Sequence, residues 1–422
     1  MDDRGRLVSV IDAAREAGAK AVEVLRVRRT TLEQGGARQS PVRREELSWT
    51  VRAWLEGGRG GVGRAAVAAD AVRLAMGQAA SAAPDLVAGP ADRMAIRTGA
   101  LGIDDHRHPT IADEDRFEIL NFVERAFHQG GLRARALRYA EVRDERSWMS
   151  TRGVEASEAA TTYELTATVG QGDVEVRHRI ASRHFSDVAS LPFGPELRRR
   201  LEPLVRPASP PPPGLPVVLE PRVVAELARA LAPAFSARAV GSGGFLGAWL
   251  GKRLAAPILH LTDDAGLFGG LHTRGFDDRG VPPIAVALLR EGVVQGLYHD
   301  PESARTHALR PTGHVTDGEL RPSNLIVRPG ARTRNVILTD LRNYLALDRL
   351  PPADLATGLL EGVVPAVVVE NGERVGSVRL PVRASFHGLL MGIREVASDQ
   401  ERACEVDAPT AVFEGDVRSR LA

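Results

Sequence analysis

The chain has 422 residues, 43% hydrophobic and 26% charged, with 55 Lys plus Arg against 54 Asp plus Glu and a formal charge of +1. That is an ordinary globular composition, and at roughly 100 to 200 residues per domain it fits two or three domains that need no disulfide or metal staple. Near-zero charge gives no bulk attraction for nucleic acid or an anionic membrane, and a single cysteine, Cys404, excludes a disulfide framework, a thiolate zinc finger and a dithiol redox site.

Lys20 and Lys252 are the only lysines. The arginine excess reads as the mark of a GC-rich genome, so individual arginines carry little functional weight. Met1-Asp2-Asp3-Arg4 has no apolar segment behind it, and no run of about 18 apolar residues follows, so the expectation is a cytoplasmic protein without a membrane span.

Arg6 to Ala17 has Leu7, Val10, Ile11 and Ala14 at helical spacing, with Gly18 as the expected C-cap. Ala21 to Val27 and Glu46 to Trp54 alternate as strands, and Gly57 to Gly63 (GGRGGVG) reads as a flexible connection. Ala65 to Ala80 and Asp113 to His128 are helical, the latter with acids in its first turn. Ala134 to Val142, Ser147 to Arg152, Thr161 to Val169 and Val174 to Ser182 are short and β-like. The fold class expected is α+β with two domains: an N-terminal α+β domain with an antiparallel sheet, residues 1–206, and a strand-dominated C-terminal domain, residues 217–422. Residues 207–216, within RPASPPPPGLP, read as a stiff linker because four consecutive prolines favour an extended conformation.

In the second half, Pro216 to Leu219 and Ile258 to Leu261 read as strands and Val223 to Ala237 as a helix. Ile284 to Arg290 and Val293 to Tyr298 flank Glu291-Gly292, and Ala366 to Glu370 and Val375 to Val382 flank Asn371-Gly372, two hairpin signals.

Spacing alone names no reaction. Gly58 to Gly63 matches GxGxxG but lacks the acidic second strand of a dinucleotide fold. His106 and His108 form an HxH pair that could bind zinc on a strand, but flanking Asp104, Asp105, Arg107 and Pro109 read as a solvated loop. Asp263-Asp264 and Asp277-Asp278 are paired carboxylates, and Asp277-Asp278-Arg279-Gly280 fits a turn better than a cation site. Cys404, between Arg402 and Glu405, reads as inert. GxSxG, EF-hand and HExxH patterns do not occur.

The run Gly275 to Arg305, GFDDRGVPPIAVALLREGVVQGLYHDPESAR, resembles a passage of the TldD/PmbA (TldE) family, also called modulators of DNA gyrase. The matching residues are Phe276, Asp277, Gly280, Gly292, Tyr298, His299, Asp300, Ser303, Ala304 and Arg305. Thr312-Gly313-His314, Asn324, the passage from Ser242 to Asp264, and Val368 to Gly372 (VVENG) fall in the family's order. The first half is similar by architecture only.

The resemblance implies a function. In that family the TldD subunit is a zinc metallopeptidase with an HExxxH helix, and the TldE/PmbA subunit lacks the motif and pairs with it. Setting Glu226 of VVAELARAL against the motif glutamate puts Ala225 and Ala230 where the histidines would be, so the chain resembles the TldE side, with no metal site and no catalytic residue of its own. Asp348 to Val363 departs from an SGDFSRGA-like stretch that lines the family's substrate channel. The implied role is a zinc-free subunit of a heterodimeric metallopeptidase. Its partner would be a TldD-like HExxxH chain carrying the zinc, and its substrates unfolded or precursor peptides, including those of natural-product maturation. The alternative is a non-enzymatic homodimeric peptide-binding scaffold.

Overall fold

Asp2 caps α1 (Asp3–Glu16), accepting from Gly5 N at 2.8 Å, in a computed structural model that describes residues 2–36, 38–85, 89, 91, 101–190 and 193–414. Leu7, Val10, Ile11 and Ala14 form its buried face, at the spacing the sequence predicts. Strands β1 (Ala21–Gln34), β2 (Val42–Trp54) and β3 (Gly60–Ala65) follow, then α2 (Ala68–Ser81), α3 (Asp113–Gln129), and β4 (Ala134–Ser150), β5 (Glu155–Gln171) and β6 (Val174–Ser182). Two short strands expected between Ala134 and Arg152 are one long strand. The six form an antiparallel sheet in the order β3-β2-β1-β4-β5-β6, which leaves β3 and β6 as its edges.

The glycine run is neither a phosphate loop nor a flexible connection. Gly60–Ala65 is strand β3, paired with β2 from Trp54↔Gly60 to Trp49↔Ala65. Glycine is needed because α2 lies against the strand backbone: a Cβ at Gly63 would stand 1.9 Å from the Ala71 carbonyl oxygen, and one at Gly61 2.1 Å from that of Ala75.

Helices α4 (Phe185–Ser190) and α5 (Phe193–Leu204) lead to the second half, which opens with β7 (Val217–Leu219) and α6 (Pro221–Leu231). The helix expected to reach Ala237 stops at Leu231, and Ala232–Phe235 continue as a 3₁₀ turn around Pro233, which cannot sit inside an α-helix without losing a hydrogen bond. Strands β8 (Leu261–Asp264), β9 (Ala285–Arg290) and β10 (Val293–Val294) join Leu325–Val327, Val406–Ala408 and Glu401–Ala403 in a second six-stranded sheet, with β10 and Glu401–Ala403 at its edges. The strand expected from Val293 to Tyr298 ends early because Tyr298 bonds instead to the backbone of Phe235 and Ala237. A third sheet holds β7 and the hairpin of Leu359–Glu370 and Glu373–Ser385, whose Asn371 and Gly372 both have positive φ as a two-residue hairpin turn requires.

The proline-rich segment begins along this third sheet: Pro207 bridges Ser377, and Ala208 N donates to the Ser377 carbonyl at 2.9 Å. One hydrophobic core crosses the midpoint of the chain. Phe127, Tyr139, Leu165 and Leu197 from the first half pack with Val218, Ile337, Ala346, Val367 and Val412 from the second. α6 buries Val223, Val224, Ala225, Leu227, Ala228 and Leu231 in a separate core of the second half.

Replacing Gly63 with Ala is expected to lower stability by about 2 kcal/mol or more, since helix and strand must separate to admit the methyl group. Urea unfolding checks this, and a loss within about 0.5 kcal/mol would contradict the close β3–α2 approach.

Candidate functional site

Of the residues that carry the resemblance, the Phe276–Gly280 turn lies at the junction between the two halves. Asp277 is fully buried, and its carboxylate accepts from the backbone N–H groups of Arg279 (2.8 Å), Val281 (3.0 Å) and Val315 (3.0 Å), the turn expected from sequence. Burial nevertheless pushes this carboxyl above its ordinary value. Gly280 has φ +69°, and a Cβ there would meet the Trp148 ring at 2.4 Å. Phe276 packs with Leu25 and Trp148 of the first sheet. Arg279, which the sequence reading did not weigh, joins Glu23 Oε2 of β1 at 2.9 Å to Glu302 Oε2 at 2.7 Å.

The second cluster of matching residues is also internal. The Tyr298 hydroxyl donates to Asp263 Oδ2 at 2.8 Å and the Tyr298 ring stacks on His314, whose Nε2 lies 3.4 Å from Asp263 Oδ1. Ser323 also bonds Asp263 through its N–H and hydroxyl. Asp300 caps the helix Pro301–Thr306 in a reciprocal capping box with Ser303 and pairs with Arg238. His299 N donates to Thr312 Oγ1 at 3.0 Å, and Arg305 Nη1 donates to the Gly89 carbonyl at 3.3 Å. These residues hold loops together.

The HxH pair does not converge. His106 is exposed, whereas His108 is half-buried on a 3₁₀ turn with Nδ1 3.0 Å from the Tyr163 hydroxyl.

A cleft of about 1120 Å³ lies between the halves. One wall is the edge strand β6, with α5 beside it. The other is the N-terminal part of α6, the loop at Phe268–Leu271, and the edge strand Glu401–Ala403 followed by Cys404. α6 presents Arg222, Glu226 and Arg229 to the cleft, a stripe with helical spacing. Ala225 is fully buried in the core and Ala230 packs against that same core, so neither position faces the cleft. Glu226 does face it, and its Oε2 accepts from Leu350 N at 3.1 Å; burial raises its carboxyl above the ordinary value. Asp348 to Val363 therefore touches the cleft helix at Leu350 and through Asp348.

Arginine–carboxylate pairs hold the cleft walls. Glu220, at the N-cap position of α6, has Arg374 at 2.6 Å, Arg199 at 3.0 Å and Arg334 at 3.3 Å. Burial alone would raise its carboxyl, but Arg222 and Arg199 hold it far below the usual carboxylate range. Arg200 of α5 and Arg222 of α6 meet on one oxygen, Asp348 Oδ1, at 3.2 and 2.9 Å. Cys404 closes the far end, its thiol pushed up by burial and so poorly suited to nucleophilic attack.

This donor set does not fit zinc. The helix face carries two guanidinium groups and no imidazole, and among the described residues no three His, Cys, Asp or Glu side chains converge as a metal site. Sequence reading missed Glu220, Arg200, Arg222, Asp348 and His178 because no local pattern marks them, and Asp348 meets Arg200 and Arg222 across 148 and 126 residues of chain.

Residues 213–417 match the family model of the PmbA/TldA metallopeptidase C-terminal domain. The chain is 31% identical over 114 residues to a metalloprotease of Synechocystis sp., covering 27% of this chain and 22% of that protein. It is 23% identical over 282 residues to a metalloprotease of Methanothermobacter thermautotrophicus, covering 61% of each. The matches thus span less than two thirds of these relatives. In fold, the chain superposes on a candidate modulator of DNA gyrase from Bacteroides thetaiotaomicron with a TM-score of 0.84 at 18% identity, covering 98% of both chains. It superposes on TldE from Thermococcus kodakarensis with a TM-score of 0.82 at 18% identity, covering 96% of this chain and 98% of that one. The α+β fold with a strand-rich C-terminal region is the fold of these proteins. None of the described helices is long and apolar enough to cross a membrane.

His178 in the β6 wall is shifted mainly by burial. Burial, then Arg200, pushes its imidazole down to about 4. The unfolded chain therefore binds more protons here between about pH 4 and 6.5 than the folded one, so this contribution to stability is full above pH 6.5 and falls as pH drops towards 4. An NMR titration midpoint near 4 for His178 is expected, with His178→Gln flattening that part of the pH–stability curve. A midpoint at or above 6.5 would contradict the burial.

Proposed function

This chain belongs to the PmbA/TldD family, and on that premise we propose that it is the zinc-free, TldE/PmbA-like subunit of a heterodimeric metallopeptidase. The observation that carries the reading is the cleft face of α6, Arg222, Glu226 and Arg229, which offers no imidazole where a metallopeptidase helix needs two. Without such a pair this chain cannot hold zinc at the helix or lower the pKa of a bound water there. The zinc, the general base and the hydrolytic step fall to an HExxxH-bearing partner.

This chain would supply a wall of the substrate chamber and two sheet edges, β6 and Glu401–Ala403. An extended peptide can add to such an edge through main-chain hydrogen bonds, and only an unfolded segment offers the complementary backbone. Substrates are accordingly unfolded or precursor peptides. The metalloprotease names of the relatives support peptide hydrolysis as the activity of the assembly.

Purified alone, the chain is expected to carry no stoichiometric zinc by elemental analysis and to cleave no peptide. Mixed with an HExxxH partner, it should give chelator-sensitive cleavage that needs both chains. One tightly bound zinc per chain, or a partner fully active by itself, would overturn the subunit reading.

A further inference from the structure

The cleft is lined by nine arginines and five carboxylates. Several carboxylates that pair with these arginines, Glu164, Asp348 and Asp407, stand outside the lining, so guanidinium groups dominate the surface a ligand would meet. Among the described residues, two lining arginines have no carboxylate partner. Arg183 is buried and gives its donors to the carbonyls of Gly270, Thr273 and Thr161 and to the Thr162 hydroxyl. Arg177 lies on the edge strand β6 with its side chain exposed, and no described carboxylate comes within ion-pair distance of it. Its carbonyl accepts from Arg200 Nη1 at 2.8 Å, which ties the edge strand to α5.

We propose that this cleft selects an extended peptide with acidic side chains, Asp or Glu, at alternate positions facing Arg177 and Arg179 of the β6 edge. The inference rests on the peptide-binding reading above and names its substrate class. On a strand, residues two apart share a face and stand roughly 6 to 7 Å apart, so acidic side chains at alternate positions of an extended peptide lying along β6 meet Arg177 and Arg179 in register. Arg402 on the opposing edge strand faces the same space, although Asp407 already pairs with it at 2.7 Å. Arg179 is likewise shared with Glu164 at 2.8 Å and Glu405 at 3.5 Å, which leaves Arg177 as the lining cation with most to gain from a new carboxylate.

The test is binding to the full-length chain by fluorescence anisotropy of dye-labelled, unstructured peptides that differ only in carrying Asp, Asn or Lys at alternate positions, each with a free and an amidated C-terminus. The Asp peptide is expected to bind roughly tenfold tighter than the Asn peptide at low salt, and the Lys peptide weakest. The preference should shrink at about 0.15 M salt and survive amidation. Arg177→Gln should lower Asp-peptide affinity roughly threefold and leave Asn-peptide affinity unchanged. Equal binding of all three peptides would overturn the acidic preference while leaving the peptide-binding reading intact. A preference that disappears on amidation would overturn the side-chain assignment, and an unchanged preference in Arg177→Gln would overturn the β6 edge as its source. No binding of any peptide would overturn the peptide-binding reading as well.

Discussion

A guanidinium buried between two halves of a chain must find its counter-charges there, and Arg279 does. Its Nε meets Glu23 of β1 and its Nη1 meets Glu302 of the second half, with Arg279 4% and Glu23 1% exposed. Removing one partner of such a pair leaves an uncompensated buried charge, at a cost of about 3 to 5 kcal/mol. Arg146 repeats the arrangement, reaching Asp278 at 2.6 Å and the Phe276 carbonyl at 3.0 Å, while Arg52 donates to the Asp278 carbonyl at 3.0 Å. Gly280 lets this turn sit directly against Trp148. The two sheets are therefore fixed in one relative position by charge, hydrogen bonding and close contact together.

That position creates the cleft. With the first sheet locked at the Phe276–Gly280 turn, its far edge β6 is held opposite the edge strand Glu401–Ala403. The Arg200–Asp348–Arg222 bridge joins α5 to α6 across the cleft floor. Free sheet edges normally invite aggregation. Here they face each other across an arginine-rich cleft.

Elements with a local signature were legible from sequence. The apolar spacing of α1, the acidic first turn of α3 and the Asn371-Gly372 hairpin each depend on a few neighbouring residues. The glycine run was misleading, because a Gly-rich stretch reads as a loop unless one knows that α2 lies against it. The order of residues from Phe276 to Arg305 was legible as a family pattern, yet its role at the junction was not: Asp277 turns a loop, and Arg279 finds Glu23 more than 250 residues away. The cleft was least legible. Reading the arginines as a compositional bias hid that Arg200, Arg222 and Arg279 organise the structure, and the register on α6 put two positions at the core face and only Glu226 at the cleft.

The claim beneath all of this is that the junction makes the two halves one cooperative structure. Native-state hydrogen exchange of the full-length chain, read across a denaturant series, measures it directly. The account predicts that the slowest amides of β1 and β4 in the first half, and of Tyr344–Leu347 and Leu359–Glu370 in the second, open with the same free energy and the same denaturant dependence. Core amides of the first half exchanging through a distinctly cheaper opening, while those of the second stay protected, would contradict it.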